Sequence, residues 1–297
     1  MNLVTVEWPN AQPRDLRPEL EAGNILYFPK SPFDLPEDSQ EFLRGLAFSG
    51  GAVHKNIAYR PASDRVTGFS GAAMERVRSA LRDYSRKAVE VAKALLPAYA
   101  ARWTLDYSSF RPLEEQGRDL PTTKRNDLIH TDAFPSRPTF GSLILRFFAN
   151  IHPTKTRVWI TSDPFADVAP KHAPSAGLNH IADQSASAVG RLTNQSARLL
   201  HRFGLPVVPR SAYDRFMLAF HDYLKHNDDF QANCSKHRFE FPPGSAWMVF
   251  TDVVPHSVES GQFALEQTFI VPRDALANAG RAPISILESL CGRNLQV

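Results

Sequence analysis

A histidine and an aspartate stand one residue apart in LIHTDAFPSRP, residues 128–138. In an extended backbone, side chains two apart project to the same side, so His130 and Asp132 converge on one point. A neutral imidazole nitrogen with one carboxylate oxygen suits a divalent first-row metal. A third ligand from elsewhere would complete one face of an octahedron, the 2-His-1-carboxylate arrangement that holds non-haem ferrous iron. A pattern this short turns up by chance about once in a chain of this size, and His226-Asn227-Asp228 repeats it. That second match closes the run SAYDRFMLAFHDYLKHNDDF, where Tyr213, Phe216, Phe220, Tyr223 and Leu224 recur at helical intervals. Residues two apart on a helix do not face each other, so the second match reads as polarity at a helix end.

Far along the chain, FPPGSAWMVFTDVVPHSVESGQFALEQTFIVP puts His256 in a short strand between an Asp-containing turn and a tight turn at Ser260-Gly261. The order is HxD, strand, Pro-Gly turn, apolar strand, His-x-Val, tight turn and a last aromatic strand. It resembles the double-stranded β-helix, a jelly-roll or cupin-like core, of Fe(II)/2-oxoglutarate-dependent oxygenases, in which a distal histidine completes the triad begun by HxD. The resemblance implies His130, Asp132 and His256 as ligands of Fe(II), with 2-oxoglutarate and dioxygen as cosubstrates. His256 lies 126 positions after His130, further than is usual for that class. Two helical segments in between read as an insertion, since long surface insertions cost little closure entropy.

A dicarboxylate cosubstrate needs a cation, preferably an arginine whose fork matches a carboxylate with two parallel hydrogen bonds. Many relatives carry it about ten residues after the distal histidine, but that neighbourhood here reads Leu265-Glu266-Gln267-Thr268. Arg146, in LILRFFAN with the strand parity of Ile144, Phe148 and Asn150, is the first choice, because an arginine in so apolar a strand is costly to bury without an anion. Arg111, in SSFRPL, is the second. Arg157 and Arg273 sit beside turns or strand ends, where a solvated arginine is expected.

The run RPLEEQGRDLPTTKRNDLIHTDAFPSRPTFGSLILRFFANIHPTKTRVW, residues 111–159, closely resembles the Kdo hydroxylases, bacterial oxygenases that modify the 3-deoxy-octulosonic acid sugar of lipopolysaccharide; HSVESGQFALEQTF agrees with it. The resemblance spans roughly residues 100–275. It implies oxidative decarboxylation of 2-oxoglutarate to succinate and carbon dioxide, coupled to hydroxylation at C3 of a Kdo residue carried on lipid A, giving Ko. A sugar carboxylate and lipid A phosphates call for a basic rim, which Arg118, Lys124, Arg125 and Arg137 around the HxD segment could supply. Glu114 and Glu115 read as loop or surface pairing rather than as catalysts. Competing readings are a protein side-chain hydroxylase of the same class and a non-catalytic cupin-like sugar-binding protein. A zinc hydrolase lacks a general base at metalloprotease spacing.

These residues need a frame to hold them. With 297 residues, 43% of them hydrophobic and 22% charged, the chain has the composition of an ordinary globular protein and room for a sizeable core. A single domain is expected, mainly β with packed helices. Residues 1–69 are proline-rich and read as irregular, apart from strand-like pieces such as NILYFP. A supporting helix follows over 70–97, capped by Ser70 and ended by Pro97, with Met74, Val77, Leu81, Tyr84, Ala88, Val91 and Leu95 as one apolar stripe. Its Arg- and Lys-bearing outer face reads as solvated, or as a surface leaning on anionic lipid. The β-helix core occupies 100–275. KRNDLIHTD is one of its strands, and a helical insertion fills about 165–235, comprising ADQSASAVGRLTNQSARLLHRFG and a helix opened by the capping pattern Ser211-x-x-Asp214.

Nothing in the composition favours nucleic acid: a net charge of +3 is too small, and the 15 glycines form no phosphate loop. No apolar run reaches the roughly 18 residues of a membrane span, and MNLVTVEWPNAQPRD has no basic-then-apolar leader. The expectation is a cytoplasmic protein, peripheral at most on the inner membrane. Cys234 and Cys291 offer no ligand spacing and read as free thiols.

Overall fold

The computed structural model describes residues 2–10, 14–48 and 56–296. Eleven strands are found among them: β1 Leu3–Thr5, β2 Ile25–Phe28, β3 Ile57–Arg60, β4 Arg65–Thr67, β5 Thr104–Arg111, β6 Leu143–Asn150, β7 Arg157–Thr161, β8 His237–Phe241, β9 Ala246–Phe250, β10 His256–Ser260 and β11 Ala264–Val271. Ten helices accompany them: α1 Arg17–Glu21, α2 Glu37–Gly45, α3 Met74–Leu95, α4 Pro97–Ala100, α5 Phe165–His172, α6 Leu178–Ala186, α7 Ala188–Arg202, α8 Ala212–His226, α9 Asp228–Asn233 and α10 Pro283–Cys291.

A large sheet runs in the order β1-β2-β9-β6-β11-β5-β3-β4, and a small one runs β10-β7-β8. The chain alternates between them. β5 and β6 lie in the large sheet, β7 and β8 in the small one, then β9 in the large, β10 in the small and β11 in the large. This winding is the double-stranded β-helix. Its interior is an aromatic core of Phe148, Trp159, Phe241 and Trp247 with Ile25, Val249, Val254 and Val258. Phe241 stacks on Trp247 at 4.0 Å, and Phe148 meets Trp159 edge-on at 5.1 Å. The other face of the large sheet is covered by helices, which is why all eight residues of β6 are buried and its sequence is apolar without alternation. α3 is clamped there by Tyr84, whose hydroxyl donates to the Phe147 carbonyl at 2.8 Å, and by Ser85 Oγ, which donates to Gln267 Oε1 at 2.7 Å.

Five helices, α5 to α9, fill the connection between β7 and β8. α8 opens on the capping box, Ser211 and Asp214 exchanging side-chain and main-chain bonds as the Ser-x-x-Asp pattern anticipates. Several expectations need correction. Residues 1–69 supply both ends of the large sheet, β1-β2 at one edge and β3-β4 at the other; the strand-like NILYFP is β2 as expected, whereas β1, β3 and β4, of three or four residues, carry too little periodicity to be announced. The supporting helix begins at Met74, with Ala73 as its N-cap and no side-chain cap, so Ser70 does not cap it. The helix does end at Leu95, two residues before Pro97, as expected, and Pro97 opens the separate short helix α4. The run from Ala182 to Gly204 breaks at Ser187 into α6 and α7.

The basic face of α3 is neutralised rather than bare. Asp64 pairs with Arg82, and Asp83 and Glu90 each pair with Arg86 at 2.9 Å, while Lys87 reaches Asp83 at 3.0 Å. Among the described residues no helix is long and apolar enough to cross a membrane, and both cysteines are free thiols.

Candidate metal centre and its cavity

The HxD segment is extended but is not a strand. It makes a single antiparallel bridge, His130 to His256, and its two ligand positions bond to different neighbours. His130 exchanges main-chain bonds with His256 at 3.0 and 2.9 Å, and Asp132 N donates to the Thr251 carbonyl at 3.0 Å. The segment therefore lies against β10 and extends the small sheet by one partner, with Gln231 of α9 bonding both main-chain groups of Ile129. Alternating direction holds as the HxD pattern requires, and the main-chain bridge brings the two histidines together across 126 positions of sequence.

His130, Asp132 and His256 offer ligand atoms within 4.8 Å of one another, and among the described residues no other histidine, cysteine or carboxylate cluster could hold a metal. Tautomers follow from the backbone. The Leu128 carbonyl lies 2.7 Å from His130 Nδ1, and the Val254 carbonyl 2.8 Å from His256 Nδ1. A carbonyl only accepts, so both Nδ1 atoms carry the proton and both Nε2 lone pairs are free, as metal ligation requires. Burial pushes both imidazoles below the ordinary histidine value, which keeps them neutral. Trp159 stacks on His256 at 4.8 Å and fixes its plane. Asp132 is half-buried, and its removal from water by itself would raise its pKa, but the Arg146 guanidinium holds it well below the usual carboxylate range. Two neutral imidazoles and one committed carboxylate fit ferrous iron.

Beside the triad a row of charge crosses the large sheet from strand to strand. Arg146 on β6 reaches Asp132 Oδ2 at 2.9 Å and Glu266 Oε1 on β11 at 2.9 Å. Arg111 on β5 donates from Nε to Glu266 Oε2 at 3.0 Å. Register explains the meeting: Thr268 of β11 pairs with Arg146 and Ala264 with Arg111, which puts Glu266 diagonally between the two arginines on the inner face. Burial opposes ionisation of Glu266, yet Arg146 and Arg111 outweigh it and bring its pKa down to about 2. The arginine that many relatives carry near this point of the last strand is thus replaced by a carboxylate with an arginine on each side.

The two guanidiniums are matched in charge by Glu266 and Asp132, but Arg146 Nε is buried with no hydrogen-bond acceptor. A buried donor without a partner is costly, and an anionic ligand would relieve it. The residues present thus fit a bound carboxylate as well as a metal.

These groups floor a cavity of about 350 Å³ whose lining includes the triad, Arg111, Arg146, Phe148 and Trp159. Arg118 and Lys124 line it as well, whereas two other expected rim residues do not. Arg125 pairs with Asp127 on the surface, and Arg137 pairs with Asp106 at 2.6 Å and lies over the Tyr107 ring. Asn150 is also displaced from its expected role: its amide donates to the carbonyls of Lys155 and Phe241 and accepts from His152 N, pinning the turn after β6. Arg157, expected to be solvated, is 1% exposed and donates to the Gly261 carbonyl at 3.1 Å. Arg273 pairs with Glu288 at 3.2 Å.

Sequence reasoning missed the far wall. His221 and Lys225 of α8 line the cavity, and the His221 ring stands edge-on to His130 at 5.0 Å. Lys225 Nζ donates to the Thr123 carbonyl at 3.0 Å, and burial lowers its pKa to about 8. The available signal was their spacing of four, which places them on one helix face; without the fold nothing said that this face looks onto the HxD segment.

Comparison with known proteins agrees with this geometry. The chain matches the family described as 3-deoxy-D-manno-oct-2-ulosonic acid (Kdo) hydroxylase over residues 5–294. It is similar to solved structures of the Kdo hydroxylase KdoO, a non-haem Fe(II) α-ketoglutarate-dependent dioxygenase. The apo form and the complex with α-ketoglutarate and Fe(III) each show 32% identity and a TM-score of 0.83, over 99% of this chain and 97% of that one. The cobalt(II) complex gives 33% and 0.82 over the same shares. No curated protein sequence matches significantly. By the length of the family match and by its identity to KdoO, the chain belongs to the Kdo hydroxylase family.

Proposed function

We propose that this chain is an Fe(II)- and 2-oxoglutarate-dependent dioxygenase that hydroxylates a Kdo sugar, at C3 to give Ko, on Kdo attached to lipid A, acting at the cytoplasmic face of the inner membrane. Residues 1–297 are read as one oxygenase domain. The observation that carries the proposal is the convergence of His130, Asp132 and His256 at the floor of a cavity whose other charged lining residues are all cations.

His130, Asp132 and His256 would hold the iron and leave its remaining positions for ligands. Ferrous iron with 2-oxoglutarate and dioxygen supplies the oxidation that replaces C–H by C–OH, with 2-oxoglutarate converted to succinate and carbon dioxide. The chain's own residues bind and orient. Arg146 holds Asp132 in its ionised form and, with its unpaired Nε and with Arg111 beside it, would meet the cosubstrate's carboxylate. Arg118, Lys124 and Lys225 face the space above, where a sugar carboxylate or a lipid A phosphate would lie. Phe148 and Trp159 close the floor against water.

The test is incubation of purified protein with Fe(II), 2-oxoglutarate and dioxygen on three substrates: Kdo-bearing lipid A, free Kdo and a peptide mixture. Succinate release and one added oxygen on the Kdo residue of the lipid are expected, with fragmentation placing it at C3. Oxygen added to peptide but not to Kdo would move the activity to protein side chains. Metal binding without succinate on any substrate would leave a sugar-binding protein.

A further inference from the structure

We propose that α7, with the segment leading from it to Arg210, docks on an anionic lipid bilayer; this deepens the reading of a membrane-carried substrate by naming the surface that meets the lipid. α7 is amphipathic in the reverse sense to an ordinary surface helix. Val189, Leu192, Leu199 and Phe203 fall on one stripe at helical spacing, and they are 75%, 66%, 56% and 76% exposed. Leu200 and Leu205 extend the same apolar surface. The side turned to the protein is small and polar: Gly190, Asn194 and Ala197 are half-buried. Asn194 Oδ1 accepts from Arg215 of α8 at 2.8 Å.

Charge decides between occupants. Between Asp183 and Asp214 there is no acidic residue, while Arg191, Arg198, Arg202 and Arg210 all fall in this stretch. α3, by contrast, balances its cations with carboxylates on its own surface or beside it. A second copy of the chain seated on this face would set the same arginine-bearing stretch, which carries no acidic residue, against itself across a two-fold axis. An anionic bilayer meets both demands at once, taking the apolar stripe into the boundary between headgroups and acyl chains and the arginines against lipid phosphates. The tie through Arg215 matters for the substrate. Lys225 lies ten residues further along α8, about 15 Å along its axis, so the docking helix is fixed at one end of the element whose other end lines the cavity.

The experiment is co-sedimentation of the full chain with phosphatidylglycerol–phosphatidylcholine vesicles and with phosphatidylcholine vesicles alone. It needs neither iron nor substrate, so its failure is distinct from failure of the proposed hydroxylation. The chain is expected to bind the anionic vesicles and to be released by salt. Leu192→Ser/Phe203→Ser and Arg198→Gln/Arg202→Gln should each weaken that binding about tenfold or more, with melting temperature and oligomeric state unchanged. Arg86→Gln on α3 should bind as the unmodified chain does. Equal sedimentation of all variants overturns the proposal. So does a change of oligomeric state in the Leu192/Phe203 variant with vesicle binding intact, which would assign the face to a second copy.

Discussion

Replacing Glu266 by glutamine would keep the shape of the side chain and remove the charge that anchors Arg111 and Arg146. The two guanidiniums lower the Glu266 pKa from 4.5 to about 2. At 1.36 kcal/mol per unit, ionised Glu266 contributes about 3 kcal/mol to folding at neutral pH. Glu266 is 4% exposed, so solvent screening takes little away, and the figure agrees with the ~3–5 kcal/mol lost when a buried ion pair is broken. Over a chain of this length, an unfolding entropy of ~2.1 cal/mol/K per residue converts the loss to a melting temperature lower by about 5 °C. The sign with pH is fixed. The folded pKa lies below the unfolded one, so this stabilisation is present above pH 4.5 and fades as pH falls from there towards about 2. Glu266→Gln should lack that part of the acid profile. Calorimetry of Glu266→Gln, Arg111→Met and the double variant makes the test sharper. Removing both partners should cost less than the two single losses added together, by about 1–3 kcal/mol. A Glu266→Gln protein that melts with the wild type, or a strictly additive double variant, would refute the charge row.

Other consequences follow from the same geometry. His256→Ala and Asp132→Ala should each abolish Co(II) binding, followed by visible absorption, with the far-ultraviolet dichroism unchanged; wild-type cobalt spectra from either would break the triad. Asp252 is fully buried, its Oδ1 accepts from Ile144 N at 3.0 Å, and burial raises its pKa from 3.8 to about 7. Its folded pKa exceeds the unfolded one, so stability is lost as pH rises from about 4 to about 7; Asp252→Asn should be more stable than wild type at pH 8 and equal to it near pH 4, and the reverse ordering would contradict the burial argument. Lys225→Met should raise KM for a Kdo substrate roughly 10–100-fold, the worth of one charge-assisted hydrogen bond, and leave KM for 2-oxoglutarate alone. In the wild type, kcat/KM for that substrate should fall as pH rises through about 8, where Lys225 loses its proton. A flat profile there would remove Lys225 from substrate binding.

Local pattern carried a good part of the molecule. The apolar run LILRFFAN reads as a strand and is one, β6. Ser211-x-x-Asp214 reads as a capping box and forms one. The decoy at His226–Asp228 falls where α8 ends and α9 begins, Asn227 capping α9. Each rests on interactions between residues a few positions apart. The expectations that failed rest on distant partners. Asn150 shares strand parity with Arg146, but the turn after β6 uses its amide, and no spacing records which carbonyls will lie nearby. Arg125 and Arg137 stand close to the HxD segment in sequence, yet Asp127 and Asp106 capture them away from the cavity.

By itself the sequence determined which chemistry was on offer: two imidazoles and a carboxylate in the right order, arginines in apolar strands, and alternation strong enough to set which face each side chain takes. Those properties are local, because backbone geometry fixes where neighbouring side chains point. Only the tertiary structure decided who meets whom. The bridge from His130 to His256, the seat of Glu266 between Arg111 and Arg146, the wall formed by His221 and Lys225, and the outward turn of α7 all depend on strand register and helix packing between segments tens of residues apart. Such contacts are selected by burial and charge balance over the whole fold, and no short stretch of sequence encodes them.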